Sequence, residues 1–332
     1  MPLDPIAYRP YADPDEFIRE VTDLIWVQRD VSHIVENYEP DSIVHGGLGT
    51  TMDRAGVIEG SLMRIAESPH HVGQAEDVVW EPRGDDAFLS SHLVFASDEH
   101  LVDGRMRRVR SRTIANCLYR RGRMVEEWVV RDTLAQALQK GLDPDDVARG
   151  MTFRGYQGSW LEPAPKDPLS EGDSGPRPDD HRAECETVLE MVEEVWNGRH
   201  LNKLPDYFHR DLFLDTVGDV TVTRPDGYQR DLLTLLSAFP SAEFEVRDVQ
   251  TNEATRYAGL RIAVLWKLAG RYDGKALFGP LTGQPVDLMG VSQFLVQDGR
   301  IVREKRIYDE LALRAQINST RGDSPVENTN IY

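Results

Sequence analysis

The chain has 332 residues, 40% hydrophobic and 8% aromatic, and 38 Lys+Arg against 56 Asp+Glu leave a formal net charge of −18. That length suits two domains of roughly 150 residues, each with its own core, and the apolar fraction excludes a disordered chain. Such an acidic chain repels phosphate backbones and anionic bilayers, so neither nucleic acid nor a membrane is an expected partner. Cys117 and Cys185 are too few for a disulfide framework or a zinc site. Met1-Pro2-Leu3-Asp4-Pro5 has neither the basic nor the apolar part of a secretory signal, and the longest apolar run, Ile262–Trp266, is far short of the ~20 residues that span a bilayer. A cytoplasmic protein is the expectation.

In chain order, an amphipathic helix comes first. Phe17, Val21, Leu24, Ile25, Val31, Ile34 and Val35 recur at helical spacing behind the cap and first turn Asp13-Pro14. A short strand, Ser42–His45, and a helix over Arg54–Glu67 follow. Alternating segments then predict antiparallel strands over Ala87–Ala96, Met106–Tyr119 and Met124–Arg131, with Arg121-Gly122-Arg123 as a hairpin turn. From Gly150 to Asp180 five prolines interrupt the chain, which reads as a surface linker. Beyond it the order repeats: a helix through Cys185, Val188, Leu189, Val192, Val195 and Trp196, a strand Leu212–Asp215, a helix Asp226–Ala238, and strands Tyr257–Leu268, Val286–Val296 and Ile301–Tyr308 around Asp298-Gly299-Arg300. Gly122 and Gly299, like Asp132 and Asp309, stand 177 positions apart, so the two halves keep one register and read as a duplication. The expected architecture is α+β twice over: residues 1–149, a linker 150–180, residues 181–317 and a tail 318–332.

This order of elements resembles the cone-shaped domains of the nuclear transport factor 2-like superfamily, in particular its SnoaL-like polyketide cyclase branch. The likeness is carried by Gly122-Arg-Met-Val-Glu-Glu-Trp128-Val-Val-Arg-Asp132, by Asp298-Gly-Arg-Ile-Val-Arg-Glu-Lys-Arg-Ile-Tyr-Asp309, and by Gly279-Pro-Leu-Thr-Gly283-Gln-Pro-Val286. It implies helices packed on a curved antiparallel sheet in each half. It also implies an aspartate at the end of the last strand that takes a proton α to a carbonyl, a role falling on Asp132 or Asp309.

Strand alternation puts Trp128, Val130 and Asp132 on one face, and Lys305, Ile307 and Asp309 on one face. If those faces turn inward, burial raises the carboxylate toward the working pH and makes it a general base; otherwise each aspartate caps the helix that follows. His45, at the end of the first short strand, is the expected proton partner of Asp132, and Asp215 holds the matching place in the second half, where two carboxylates sharing a cavity supply an acid and a base. Trp128, His92, Tyr38 and Lys305 are the candidate substrate-binding residues; Lys305 replaces the tryptophan expected before Asp309 and can pair with that aspartate or bind an anionic substrate group. The arginine-rich stretch Arg105–Arg112 reads as a solvated or interface-facing strand surface, with an anion site as the alternative. No metal site or cofactor motif is present, and the expected partners are a largely apolar small molecule and a second copy of the chain, or the two halves as an intrachain pseudo-dimer. The leading expectation is a cofactor-independent enzyme doing cyclisation, isomerisation or elimination on a carbonyl compound. A non-catalytic binding or assembly module, and an epoxide hydrolase using Asp132 with Arg110 or Arg112, stand as alternatives.

Overall fold

A computed structural model of the chain describes residues 3–169, 179–253 and 258–319. The first half runs α1 (Pro14–Thr22), α2 (Ser32–Asn37), β1 (Tyr38–Gly46), β2 (Gly49–Met52), α3 (Asp53–Glu67), β3 (Val72–Pro82), β4 (Ala87–Val102), β5 (Arg105–Arg120), β6 (Arg123–Arg131), α4 (Thr133–Gln139) and α5 (Pro144–Arg149). The second half repeats it with α6 (Asp179–Met191), α7 (Leu204–Tyr207), β7 (Phe208–Thr216), β8 (Val220–Thr223), α8 (Arg224–Ala238), β9 (Glu243–Glu253), β10 (Leu260–Arg271), β11 (Pro285–Gln297), β12 (Arg300–Tyr308) and α9 (Glu310–Asn318). The two six-stranded sheets have the same order, β2-β1-β6-β5-β4-β3 and β8-β7-β12-β11-β10-β9. In each, one pairing is parallel, β1 with β6 and β7 with β12. The α+β architecture and the doubling therefore stand as read from the sequence.

Local signals account for the boundaries. Asp13 accepts from Glu16 N at 2.8 Å, with Pro14 opening α1, which satisfies one of the helix's free amides. Arg121-Gly122 and Asp298-Gly299 all have positive φ, as a tight hairpin requires. Strands β2, β3, β8 and β9 were not foreseen; they are the two outer strands of each sheet. Their charged and polar residues mask the alternation. Tyr257, the expected start of a strand, lies outside the described residues, and β10 begins at Leu260.

Each sheet wraps its own core on one face. Phe17, Ile18, Ile25, Phe88, Ala115, Tyr119 and Val129 fill the first half; Trp196, Tyr228, Leu232, Phe244, Trp266 and Tyr308 belong to the second. The opposite faces meet. Leu93, Ile114 and Val130 of the first sheet pack on Leu265, Met289, Val291 and Ile307 of the second, with Trp160 between them. This is an intrachain pseudo-dimer. The proline-rich stretch is thus more than a surface linker, because Trp160 is 1% exposed and donates its Nε1–H to Asp287 at 3.0 Å. Residues 170–178 of that stretch, and 320–332 of the tail, lie outside the described residues.

The second core is packed to the backbone. A Cβ placed on Gly290 would sit 2.0 Å from the Trp266 ring. Gly290→Ala is therefore expected to destabilise the protein by about 1–3 kcal/mol through overpacking, read as a lowered urea midpoint; an unchanged midpoint would show that Trp266 can move aside.

Candidate functional site

The terminal aspartates lie on the faces where the two halves meet. Val130 belongs to the inter-half cluster and Val129 to the first core, so Trp128, Val130 and Asp132 turn toward the second half and not into the cone. The inward orientation expected for that face is corrected. Asp132 caps α4 by accepting from Ala135 N at 3.0 Å, and it reaches across to Gly218 N at 2.8 Å and Asp219 N at 3.0 Å. Burial raises its pKa, opposed by these amides. Asp309 mirrors it, capping α9 through Ala312 N at 3.0 Å and accepting from Thr133 Oγ1 of the first half at 2.6 Å. The β1–β2 turn closes onto it: a Cβ on Gly47 would lie 2.8 Å from the Cβ of Asp309. Burial raises Asp309 as well, opposed by Thr133, Ala312, Arg131 and Arg64.

His45 shares the outward face. Its ring stacks on Trp128 at 5.7 Å, with Nδ1 3.0 Å from Thr50 Oγ1 and Nε2 2.8 Å from Glu126 Oε1. Ser159, from the segment joining the halves, donates to the same Glu126 carboxylate. Both ring nitrogens are engaged and the side chain is fully buried, so the structure does not bring His45 and Asp132 into one cavity. The cluster fastens the joining segment to the first sheet.

In the second half Asp215 accepts from Thr221 at 2.8 Å and from Arg303 at 2.7 Å. Burial alone would raise it, but Arg303 and Thr221 hold it below the ordinary aspartate value. It shares no proton with Asp309. Lys305 likewise does not pair with Asp309: its Nζ stands 3.8 Å from Glu76 of the first half, and burial lowers its pKa. Lys305 lines a cleft of about 520 Å³ between the halves, together with Arg19, Arg112, Arg261 and Arg303. Most of these cations are already matched. Arg112 meets Glu76 at 3.0 Å and Asp219 at 3.2 Å, Arg303 meets Asp215, and Arg261 bonds Asp77. Arg110 also pairs with Asp219, at 3.3 Å, and Arg107 and Arg108 pair with Asp103 and Glu99. The arginine-rich strand is a charge-paired, partly interfacial surface, and no Asp132–Arg110 or Asp132–Arg112 bond forms.

The interior of the first cone holds a different set. Tyr38 and His92 lie there, with Cys117, Glu127, Arg131 and, from α3, Arg64. Glu127 stands opposite Cys117 in the β5–β6 ladder, and its charge acts on Tyr38, Cys117 and Tyr119. Burial raises Glu127, opposed by the charges of Arg131 and Arg64. Arg131 is lowered to about 9 by burial and by the like charge of Arg64. Among the described residues, none of Glu127, Arg131 and Arg64 has a hydrogen-bonding or ion-pair partner in contact. All three are half-buried, as are Trp26, Val44, Val57, Ile58 and Trp80, which pack on the core beside them. Ser61 alone is buried on α3, so this helix lies loosely over the cone.

The second cone is filled. Glu304, the counterpart of Glu127 by the same offset of 177, is 0% exposed and accepts from Ser292 Oγ at 2.8 Å. Arg306 is 1% exposed, bonds Asp231 at 2.6 Å, and stacks over Tyr228 and Trp196. Helix α8 buries Tyr228, Leu232, Leu235 and Leu236 where α3 buries little. The sequence reading missed Glu127, Arg131 and Arg64. The first two adjoin residues it did single out, one step away along β6. The recurrence of glutamate at 127 and 304 in both halves was the signal that could have found Glu127.

Residues 186–317 match the family model described as SnoaL-like polyketide cyclase. No curated protein is significantly similar to the chain in sequence. Among solved structures, a protein from Jannaschia sp. CCS1 assigned as a SnoaL-like polyketide cyclase is 23% identical, covering 44% of this chain and 99% of its own, with a TM-score of 0.39. AclR from Streptomyces galilaeus, assigned as a hydroxylase, is 22% identical over 43% of this chain and 85% of its own, with a TM-score of 0.37. IdmH from Streptomyces antibioticus, assigned as a polyketide cyclase, is 19% identical over 41% and 99%, with a TM-score of 0.35.

Two outcomes follow from this geometry. Asp132→Ala removes a cap and two bonds between the halves, and is expected to cost about 2–4 kcal/mol in urea unfolding; a loss near zero would show that the carboxylate ties nothing. His92 is lowered from 6.5 to about 4 by burial, with Arg19 contributing. The unfolded chain binds that proton more readily, so the stability given by the neutral ring is complete above about 6.5 and is lost as pH falls toward 4, up to about 3 kcal/mol. His92→Gln should flatten the stability slope in that interval; an unchanged slope would assign the acid sensitivity elsewhere.

Proposed function

We propose that this chain is a cofactor-independent enzyme of the cyclase or isomerase type, working on a small carbonyl compound in the first cone. One observation carries the reading. A carboxylate and two guanidiniums without contact partners line a half-buried apolar interior in one half, while the matching space in the other half is packed shut. Groups taken partly out of water and left unmatched are costly in a folded protein, and such groups concentrate where a ligand completes them.

In this reading Glu127 is the general base. Its raised pKa strengthens the carboxylate as a proton acceptor near neutral pH. It takes the proton α to the substrate carbonyl, and the C–H electron pair moves to the carbonyl oxygen as an enolate. Arg131 donates to that oxygen, acting where negative charge develops. Return of the proton at another carbon isomerises the substrate, attack of the enolate carbon on a second carbonyl closes a ring, and loss of a β-substituent eliminates. Tyr38 and Trp80 form walls of the site. The second half serves as a scaffold for the first. Glu127 is preferred over Asp132 as the base because both oxygens of Asp132 are occupied by backbone amides on the opposite face of the sheet.

The test is exchange of the α-hydrogens of 2-tetralone in D2O, followed by proton NMR. Glu127→Gln is expected to lower the catalysed exchange by about 100-fold or more, with Asp132→Asn retaining it in the fraction that stays folded. Wild-type exchange in folded Glu127→Gln would remove Glu127 from the chemistry.

A further inference from the structure

We infer that the ligand of the first cone is an organic monocarboxylate with an apolar body, its carboxylate held by Arg64 of α3. The inference rests on the first cone being the working cavity, and it replaces the largely apolar substrate expected from the sequence with an amphipathic anion.

The argument is one of charge matching. Arg64 and Arg131 are both half-buried, the charge of Arg64 acts on Arg131, and neither touches an acid among the described residues. The negative groups that act on them from a distance are Glu127, Glu67 and Asp309. Glu67 lies at the exposed end of α3, and Asp309 is committed to Thr133 and Ala312. A neutral, apolar carbonyl substrate would meet Arg131 with its oxygen but bury Arg64 further without a partner, which is expensive. A substrate carrying one carboxylate gives Arg64 a planar two-oxygen partner of the kind a guanidinium fork fits.

The balance also holds through the reaction. Before proton transfer the negative charges are the substrate carboxylate and Glu127; afterwards they are the same carboxylate and the enolate oxygen, with Glu127 protonated. Two cations face two anions at both stages. Arg64 takes the charge that stays, and Arg131 takes the charge that forms. A phosphate dianion would add a further negative charge beside Glu127 and fits less well. The rest of the ligand has Trp26, Val57, Ile58 and Trp80 to lie against.

Isothermal titration of the full chain with 3-benzoylpropionate and with its methyl ester tests this, using circular dichroism to confirm that variants are folded. The acid is expected to bind about ten-fold more tightly than the ester, and Arg64→Gln to remove that preference while leaving ester affinity unchanged. Arg64→Lys should restore part of it, and Arg303→Gln, in the cleft between the halves, should leave it intact. Equal binding of acid and ester overturns the anion assignment but leaves the cavity reading standing. Preference that survives Arg64→Gln, or that disappears with Arg303→Gln, overturns it by placing the anion elsewhere. If neither compound binds, the inference fails, while the role of Glu127 still stands or falls on the exchange measurement.

Discussion

The packing of the two sheets back to back decides what every other residue can do. Leu93, Ile114 and Val130 need an apolar partner surface, and Leu265, Met289, Val291 and Ile307 supply it within the same chain. Once that contact forms, one face of each sheet is largely committed to it, and the other encloses that half's own core. Asp132 and Asp309, at the ends of the central strands, then fall at the seam. Each caps a helix in its own half and bonds a group from the other, so secondary structure and domain docking share one carboxylate.

Two copies of one fold have diverged inside this frame. The second closes its cone with Tyr228, Trp196 and Trp266 around Arg306 and Glu304, an ion pair at 3.5 Å in which Asp231 also meets Arg306 and Ser292 donates to Glu304. The first leaves Glu127, Arg131 and Arg64 unmatched beneath a helix that buries little of itself. Glu304 and Arg306 of the second are fully buried, whereas the charged groups of the first stay half-buried. The family match falls on residues 186–317, the filled half.

Much of this was legible beforehand. Cap residues, hairpin turns and the offset of 177 positions located most helices and strands and revealed the doubling. The site was harder for a definite reason. Alternation along β6 groups Trp128 with Asp132 and Glu127 with Arg131, but it does not say which group turns inward when both faces are apolar. Val129 is 1% exposed and Val130 0%, so hydrophobicity gives no preference between them. Only the partner sheet settles it, and that partner lies far along the chain. Arg64 was hidden differently: on a helix with few buried residues, an arginine looks like ordinary surface charge.

The segment around Trp160 has a consequence of its own. Pinned at Ser159 and Trp160, it belongs to the single chain that carries both halves, so their association is a first-order event that dilution does not reverse. Identical subunits meeting across a two-fold axis must present the same surface twice. Joined copies are released from that symmetry: Trp128 can stand where its counterpart is Lys305, and one copy can fully bury the glutamate that the other leaves half-buried.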